Sequence, residues 1–345
     1  LVEGTSTARA SRLHAELAVA GERLGIPAAA IAHHHLSSRD RRHLDEAARW
    51  SIRAADEAFA AAAFEDAIAV LERALAAVGD DHPARARLLC ELGVLQRRLR
   101  VYDAARPLLI EAAELAEGND EAETLASAAL ALTGSYLGGD IDVAAGAPFL
   151  EAAERRLDPA DSPLRARVLA ARAVVSHQDD EAAHRLVLEA EAMAVRLGDR
   201  ATLGYVTQGV WTTKLRMLPH SADDALRYAP VLQQRCADSG VTEVIVTAPI
   251  LGIHECALRG DLVALAGVAD ESEARGRRYG LTSPRANAEL ARGVIDLVGG
   301  RPEEAEVRWV EAMGLAGQDG FTQGLALSQL VWLRRHQGRL AEPAP

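Results

Sequence analysis

Lysine is nearly missing from this chain: of its 38 basic residues only Lys214 is lysine, and the rest are arginine. A phosphate-cradling Gly-x-x-x-x-Gly-Lys-Ser/Thr loop could therefore sit in one place only. Lys214 follows Trp211-Thr-Thr, without the glycines whose backbone N–H groups approach phosphate, so ATP binding is not assigned to this chain. Aromatics make up 4% of the residues, and β-branched residues are sparse outside a few stretches, which disfavours sheet. The three cysteines, Cys90, Cys236 and Cys256, are odd in number and far apart, an arrangement that suits neither a disulfide framework nor a zinc site. No apolar run approaches the ~20 residues of a membrane span, and no basic-then-apolar leader opens the sequence. A cytoplasmic protein with no membrane contact is expected. Net positive charge is also lacking: the balance is −12, which argues against direct nucleic-acid binding because phosphate recognition needs a concentrated positive field.

What is abundant is alanine, 70 residues of 345. Alanine is the best helix former and too small to fill a deep core, so the composition calls for helices packed closely against one another. An all-α protein is predicted. Its organisation follows from a repeat. Phe64, Ala67, Leu71, Ala74 and Leu75 recur as Tyr102, Ala105, Leu109, Ala112 and Ala113, and again as Ala305, Trp309 and Ala312. Gly93 and Gly293 lie in the preceding helices, where two antiparallel helices would touch most closely. Anchoring on the small residue gives Ala67, Ala105, Gly146, Ala183, Ala225, Leu265 and Ala305, at steps of 38, 41, 37, 42, 40 and 40 residues. Proline after a capping residue is expected to open helices at His82-Pro83, Ser162-Pro163, Ser283-Pro284 and Arg301-Pro302, and Ser221 to Asp224 reads as a capping box. Val241 to Ile250 is β-branched enough for a strand, but its setting among helix pairs favours a helix kinked at Pro249.

The run Arg12-Leu-His14, Ala32-His-His-His35-Leu36, Ala54-Ala55-Asp56-Glu57-Ala58 and Phe64 to Leu75 resembles the stretch that follows the nucleotide-binding module in large bacterial ATP-binding regulators. These are the LuxR-type, MalT-like transcriptional activators and related P-loop ATPases. The Leu92-Gly93 pair likewise resembles that of tetratricopeptide repeats. The resemblance is specific over residues 10–117 and around 285–317. It implies a right-handed α-solenoid of seven to eight tetratricopeptide-like (TPR-like) helix pairs with a period near 40 residues. Residues 1–40 would be a helical connector from an upstream ATPase, and 41–345 the repeat array, ending in an incomplete repeat. A DNA-binding domain would lie downstream. No helix-turn-helix is recognisable in the chain itself.

Chemistry-bearing clusters were weighed against packing. His33-His34-His35, with His14 and His43 nearby, invites a metal reading, but consecutive helical residues point ~100° apart and three in a row cannot face one ion. A packing or capping role is expected, with no metal and no cofactor. His177, Asp179, Asp180, Glu181 and His184 fall at an inter-helix turn, Arg259-Gly-Asp261 reads as a turn, and His254-Glu255-Cys256 lacks a second histidine. No catalytic constellation emerges, and the chain is not expected to be an enzyme. The sharper expectation concerns the concave groove, lined in such arrays by the first helix of each pair. Counting back from the anchors places Arg49, Arg87, Arg165, Thr207 and Asn287 at one inward position, and Asp56, Ser135, Arg172, Lys214 and His254 seven residues later. With Trp211, in a stripe with Tyr205, Gln208 and Lys214, these form a candidate surface whose cations suit an acidic peptide or anionic ligand. The expected function is a regulatory arm that senses an effector or partner protein in its groove. A passive interaction or oligomerisation scaffold is the alternative, and an unrecognised enzyme the third reading.

Overall fold

The computed structural model describes residues 6–99, 101–134, 143–176, 180–216, 222–317 and 320–341. Among the described residues all regular structure is helical, and the chain divides into two compact units, residues 1–132 and 133–345. The first unit contains α1 (Thr7–Leu24), α2 (Ala28–Ser38), a 3-10 turn (Arg41–His43), α3 (Leu44–Ala60), α4 (Phe64–Val78), α5 (Ala84–Arg98), α6 (Tyr102–Gly118) and α7 (Ala122–Thr133), the last residue of which begins the next unit. The second contains α8 (Val143–Arg156), α9 (Pro163–Val175), α10 (Asp180–Leu197), α11 (Arg200–Arg216), α12 (Ala222–Asp238), α13 (Thr242–Arg259), α14 (Leu262–Tyr279), α15 (Thr282–Val298), α16 (Pro302–Ala316) and α17 (Gly320–His336).

From α1 to α6 in the first unit and from α8 to α17 in the second, each helix packs antiparallel against the next, an all-α solenoid arrangement. The sequence period is visible in the helix starts. Each of the seven anchors is the fourth residue of an even-numbered helix from α4 to α16. One turn into the helix is where its partner comes nearest, and six of the seven, Ala67, Ala105, Gly146, Ala183, Leu265 and Ala305, are buried. The Ala225 side chain lies outside the described residues. Successive pairs pack through the even helix of one on the odd helix of the next and also odd helix on odd helix: α3 on α5 in the first unit, and α9 on α11, α11 on α13, α13 on α15 and α15 on α17 in the second.

Two glycines show why the pairs close so tightly. A Cβ on Gly93 would stand 2.6 Å from Leu109 Cγ, and one on Gly293 would stand 2.2 Å from Trp309 Nε1. Leu109 and Trp309 are the larger residues one turn beyond the anchors, both fully buried, so each fills the space its glycine leaves.

Capping follows the sequence in part. Ser162 accepts the Arg165 N–H at 3.1 Å, with Pro163 as the first helical residue, and Pro302 opens α16 as expected. Two expectations are corrected. Pro83 stands just before α5, where His82 Nδ1 accepts the Ala84 N–H, and Pro284 is the third residue of α15, whose chain enters from extended Leu281. The first turn of a helix needs no N–H at any of these places, so proline fits each without marking the same residue. Ser221, the capping residue of the box at Ser221 to Asp224, lies outside the described residues. Val241 to Ile250 enters α13 as helix, and Pro249 is inside it. A proline cannot bond the carbonyl four residues back. Here that carbonyl, of Ile245, accepts from Arg275 of α14 at 2.6 Å, and the equivalent carbonyl below Pro230, of Leu226, accepts from Arg259 at 3.4 Å. Neighbouring arginines thus satisfy what the prolines orphan. The Arg259-Gly-Asp261 segment is the expected turn, with Gly260 at φ 68° closing α13 and Asp261 capping the Ala264 N–H.

Candidate interaction surface

The expected cationic face does not assemble as a row of unpaired charges. Arg49 pairs with Glu46 on its own helix, Arg165 reaches Glu189 at 3.4 Å, and Arg172 bonds Glu154 at 2.6 Å. Each cation is answered by a carboxylate, and the pairing cancels the positive field an anionic ligand would need. Arg87 is exposed. Ser135 and the His177 to Asp179 part of the acidic cluster lie outside the described residues, as do the Asp180 and Lys214 side chains.

Three further candidates are corrected: Thr207, Trp211 and Asn287 are interior residues and offer no groove surface. Thr207 and Trp211 are fully buried, and Asn287 is 3% exposed with its Nδ2 donating to Ser283 O. Two physical causes operate. The counted position slides against the helix end, from eleven residues before the end of α3 at Arg49 to nine before the end of α11 at Thr207, and each residue of slippage rotates the side chain ~100°. Crowding is the second: α11 is wedged among α9, α10, α12 and α13, and α15 among α13, α14, α16 and α17, so most sides of these helices are covered.

The aromatic stripe of α11 becomes a polar seam against α13. Gln208 Nε2 donates to Thr247 Oγ1 at 2.8 Å, and Trp211 Nε1 donates to His254 Nδ1 at 3.1 Å, the two rings lying nearly parallel with centroids 6.4 Å apart. Tyr205 is covered by the Arg167 guanidinium, 4.3 Å from its ring centre. Desolvation pushes the His254 imidazole down to about 4. A neutral ring is also what the geometry demands, because Nδ1 must be bare to accept from tryptophan. His254 is therefore a packing residue of this seam rather than a ligand-facing one.

In the first unit the corresponding odd-helix seam stays open. Between α3 and α5 lies a shallow cleft, floored by Ile52, Phe59 and Leu95 and rimmed by Asp56, Glu91 and Arg98. Glu91 carries an elevated pKa, first because burial penalises its charge and then because Asp56 repels it, while Arg98 and Arg87 pull the other way. Arg98 lies over the Phe59 ring at 5.3 Å. The cleft thus combines an apolar floor, a cation resting on its aromatic wall and two carboxylates that repel each other. Of this cleft, Asp56 was placed on the inward face by repeat counting. Glu91, Arg98 and Phe59 were not, although Arg87, Glu91 and Arg98 follow one another at steps of four and seven along one face of α5.

No protein-family model and no curated protein matches the chain. Among solved structures, the TPR domain of P58(IPK) is similar at 16% identity over 96% of this chain and 99% of that one, with a TM-score of 0.25. At that score the assignment to helix-pair repeats stands on the anchors and the packing order described above. No described helix is long and apolar enough to cross a membrane.

Proposed function

We propose that this chain is a non-enzymatic interaction arm, and that the α3–α5 cleft receives a lysine or arginine side chain from an extended or helical segment of a protein partner. The single observation carrying this reading is the cleft itself, where Asp56 and Glu91 face a floor of Ile52, Phe59 and Leu95. A guest cation would relieve the repulsion between the two carboxylates while its methylene stem covers the apolar floor. The acidic-peptide reading gives way to a basic-peptide one, because three of the four groove arginines, Arg49, Arg165 and Arg172, are paired.

The finer reading is that the arm belongs to a LuxR-type, MalT-like ATP-binding regulator, with residues 1–40 as connector from an ATPase and the repeats as its sensor. It rests on the sequence resemblance over residues 10–117 and 285–317. Partner binding would then shift an on/off equilibrium, which requires different affinity for the two states.

Selection of peptides from a displayed random library against the whole chain tests the proposal. Enriched peptides are expected to carry lysine or arginine beside apolar residues and to lose at least tenfold in affinity to the Asp56→Lys and Glu91→Lys variants. Enrichment of acidic peptides, or affinities indifferent to both substitutions, overturns it.

A further inference from the structure

α1 and α2 form a hairpin through Gly25, Ile26 and Pro27. Gly21 lets them approach, since a Cβ there would meet Ile26 Cδ1 at 2.7 Å. The hairpin brings His14 of α1 beside His33 and His34 of α2. The three imidazole centres form a near-equilateral triangle with sides of 5.7, 5.1 and 5.5 Å. One ring nitrogen from each lies within 4.8 Å of the other two, and His14 Nδ1 and His34 Nδ1 stand 2.9 Å apart.

The objection that consecutive helical residues diverge holds for three but not for two. Side chains ~100° apart flank a point in front of the helix, and a third ligand from a facing helix can complete that point. His14 stands there. His35 takes the opposite direction and is buried, its Nε2 on Glu22 and its Nδ1 3.2 Å from His43 Nδ1.

A tetrahedral ion with metal–nitrogen bonds of ~2.0–2.1 Å sets its ligand nitrogens about 3.3 Å apart, so rotation of the rings by an ångström or so converts the triangle into a coordination site. A second group, Glu22, His35 and Glu46, also has ligand atoms within 4.8 Å of one another, but its atoms are spent. Glu22 Oε1 already accepts from Trp50 Nε1 at 2.7 Å and from His35, and Arg49 holds Glu46. At the outer triangle the ring contacts are mutual, apart from a 3.5 Å approach of Ser37 Oγ to His33 Nε2.

We propose that His14, His33 and His34 bind one zinc-class divalent cation, with an open fourth position, and that the ion clips α1 to α2. Three neutral imidazoles select zinc, cobalt, nickel or copper over magnesium and calcium, which prefer oxygen. A clip is useful at this place. Only Ala18 and Gly21 of α1 are buried, while Leu13, Leu17 and Leu24 are exposed, so little apolar burial holds the helix down.

The test is titration of the whole chain, free of any affinity tag, with Co(II) and then with Zn(II) in competition. One equivalent of Co(II) should give the intense visible absorption of four-coordinate cobalt, zinc should displace it, and α1 amides should gain protection from hydrogen exchange. His14→Ala and His34→Gln should each weaken binding at least tenfold with helical circular dichroism unchanged, and Glu46→Gln should leave it intact. The proposal is overturned by an absence of saturable binding at one equivalent or by binding indifferent to His14→Ala and His34→Gln. Binding abolished by Glu46→Gln would overturn it equally, since that places the ion in the inner cluster.

Discussion

The α3–α5 seam and the α11–α13 seam are the same junction in two repeats, odd helix against odd helix, yet the first is an open cleft and the second is filled. In the first, Asp56, Glu91 and Arg98 keep their charged ends at a rim. In the second, Gln208, Trp211, Thr247 and His254 bond to one another across the helices. The repeat dictates which helices meet. What the junction does depends on whether the side chains at it are charged and long, or neutral and able to satisfy each other. Water is retained at a charged rim because burying it would strand carboxylates, whereas a matched donor and acceptor can be shut away at little cost.

The largest way to break this comparison is Trp211→Ala. A fully buried tryptophan that also donates a hydrogen bond should cost about 3–5 kcal/mol on truncation, read as loss of exchange protection in α11 and α13. The half-buried Phe59 of the open seam should cost less than half as much when truncated to alanine. Equal losses would show that the cleft is as closed as the seam.

Acid gives the next effect. His254 in the folded chain titrates near 4, against about 6.5 unfolded, so the unfolded chain binds the extra proton between those values. The stabilisation present above pH 6.5 is lost as pH falls toward 4, by up to about 3 kcal/mol. Protonation puts hydrogen on the Nδ1 that accepts from Trp211, so the bond and the burial fail together. Exchange protection of α13 followed from pH 7 to 4, with and without His254→Asn, measures it. A slope unchanged by the substitution would assign the acid sensitivity elsewhere.

A smaller effect tests packing inside single pairs. Gly293→Ala drives a methyl into a rigid, buried indole, and Gly93→Ala drives one into a leucine that can rotate. Overpacking of this kind costs ~1–3 kcal/mol, offset by up to ~1 kcal/mol of helix propensity. Gly293→Ala should destabilise more than Gly93→Ala in thermal melts, and the reverse order would mean that Trp309 moves more easily than its burial indicates.

These cases also mark what could be read from sequence. The anchors were legible because close contact between antiparallel helices favours small residues one turn in. Position 265, where leucine replaces the small residue, was still recovered by spacing. The groove was not legible in the same way. Repeat counting treats each first helix as fixed against its anchor, but the connection to the second helix runs from three residues after α3 to five after α11, so the register slips by up to two residues. Pairing is the other hidden variable. Arg165 and Arg172 look like free cations in sequence, and their partners Glu189 and Glu154 come from helices before and after, at separations of 24 and 18 residues with no local signature. The histidine triangle needed the hairpin itself, since His14 is 20 residues from His34.

The smallest effect sharpens the comparison most, because its sign is opposite to that of His254. The Glu91 carboxyl is raised by burial and by Asp56, so the folded chain holds a proton that the unfolded chain has lost just above pH 4.5. That stabilisation is fully present below the unfolded value and disappears as pH rises through the folded one, leaving a charged, partly buried group at neutrality. Glu91→Gln should therefore stabilise the first unit at pH 7, by less than about 1 kcal/mol, and the gain should vanish near pH 4. Over the same acid range the α11–α13 seam loosens. Exchange protection should accordingly shift in opposite directions in α5 and α13 as pH falls, and Glu91→Gln should flatten only the first. A parallel decline in both helices would mean that the two seams respond to acid alike, and that the charged rim and the matched polar interior are not the separate solutions their residues describe.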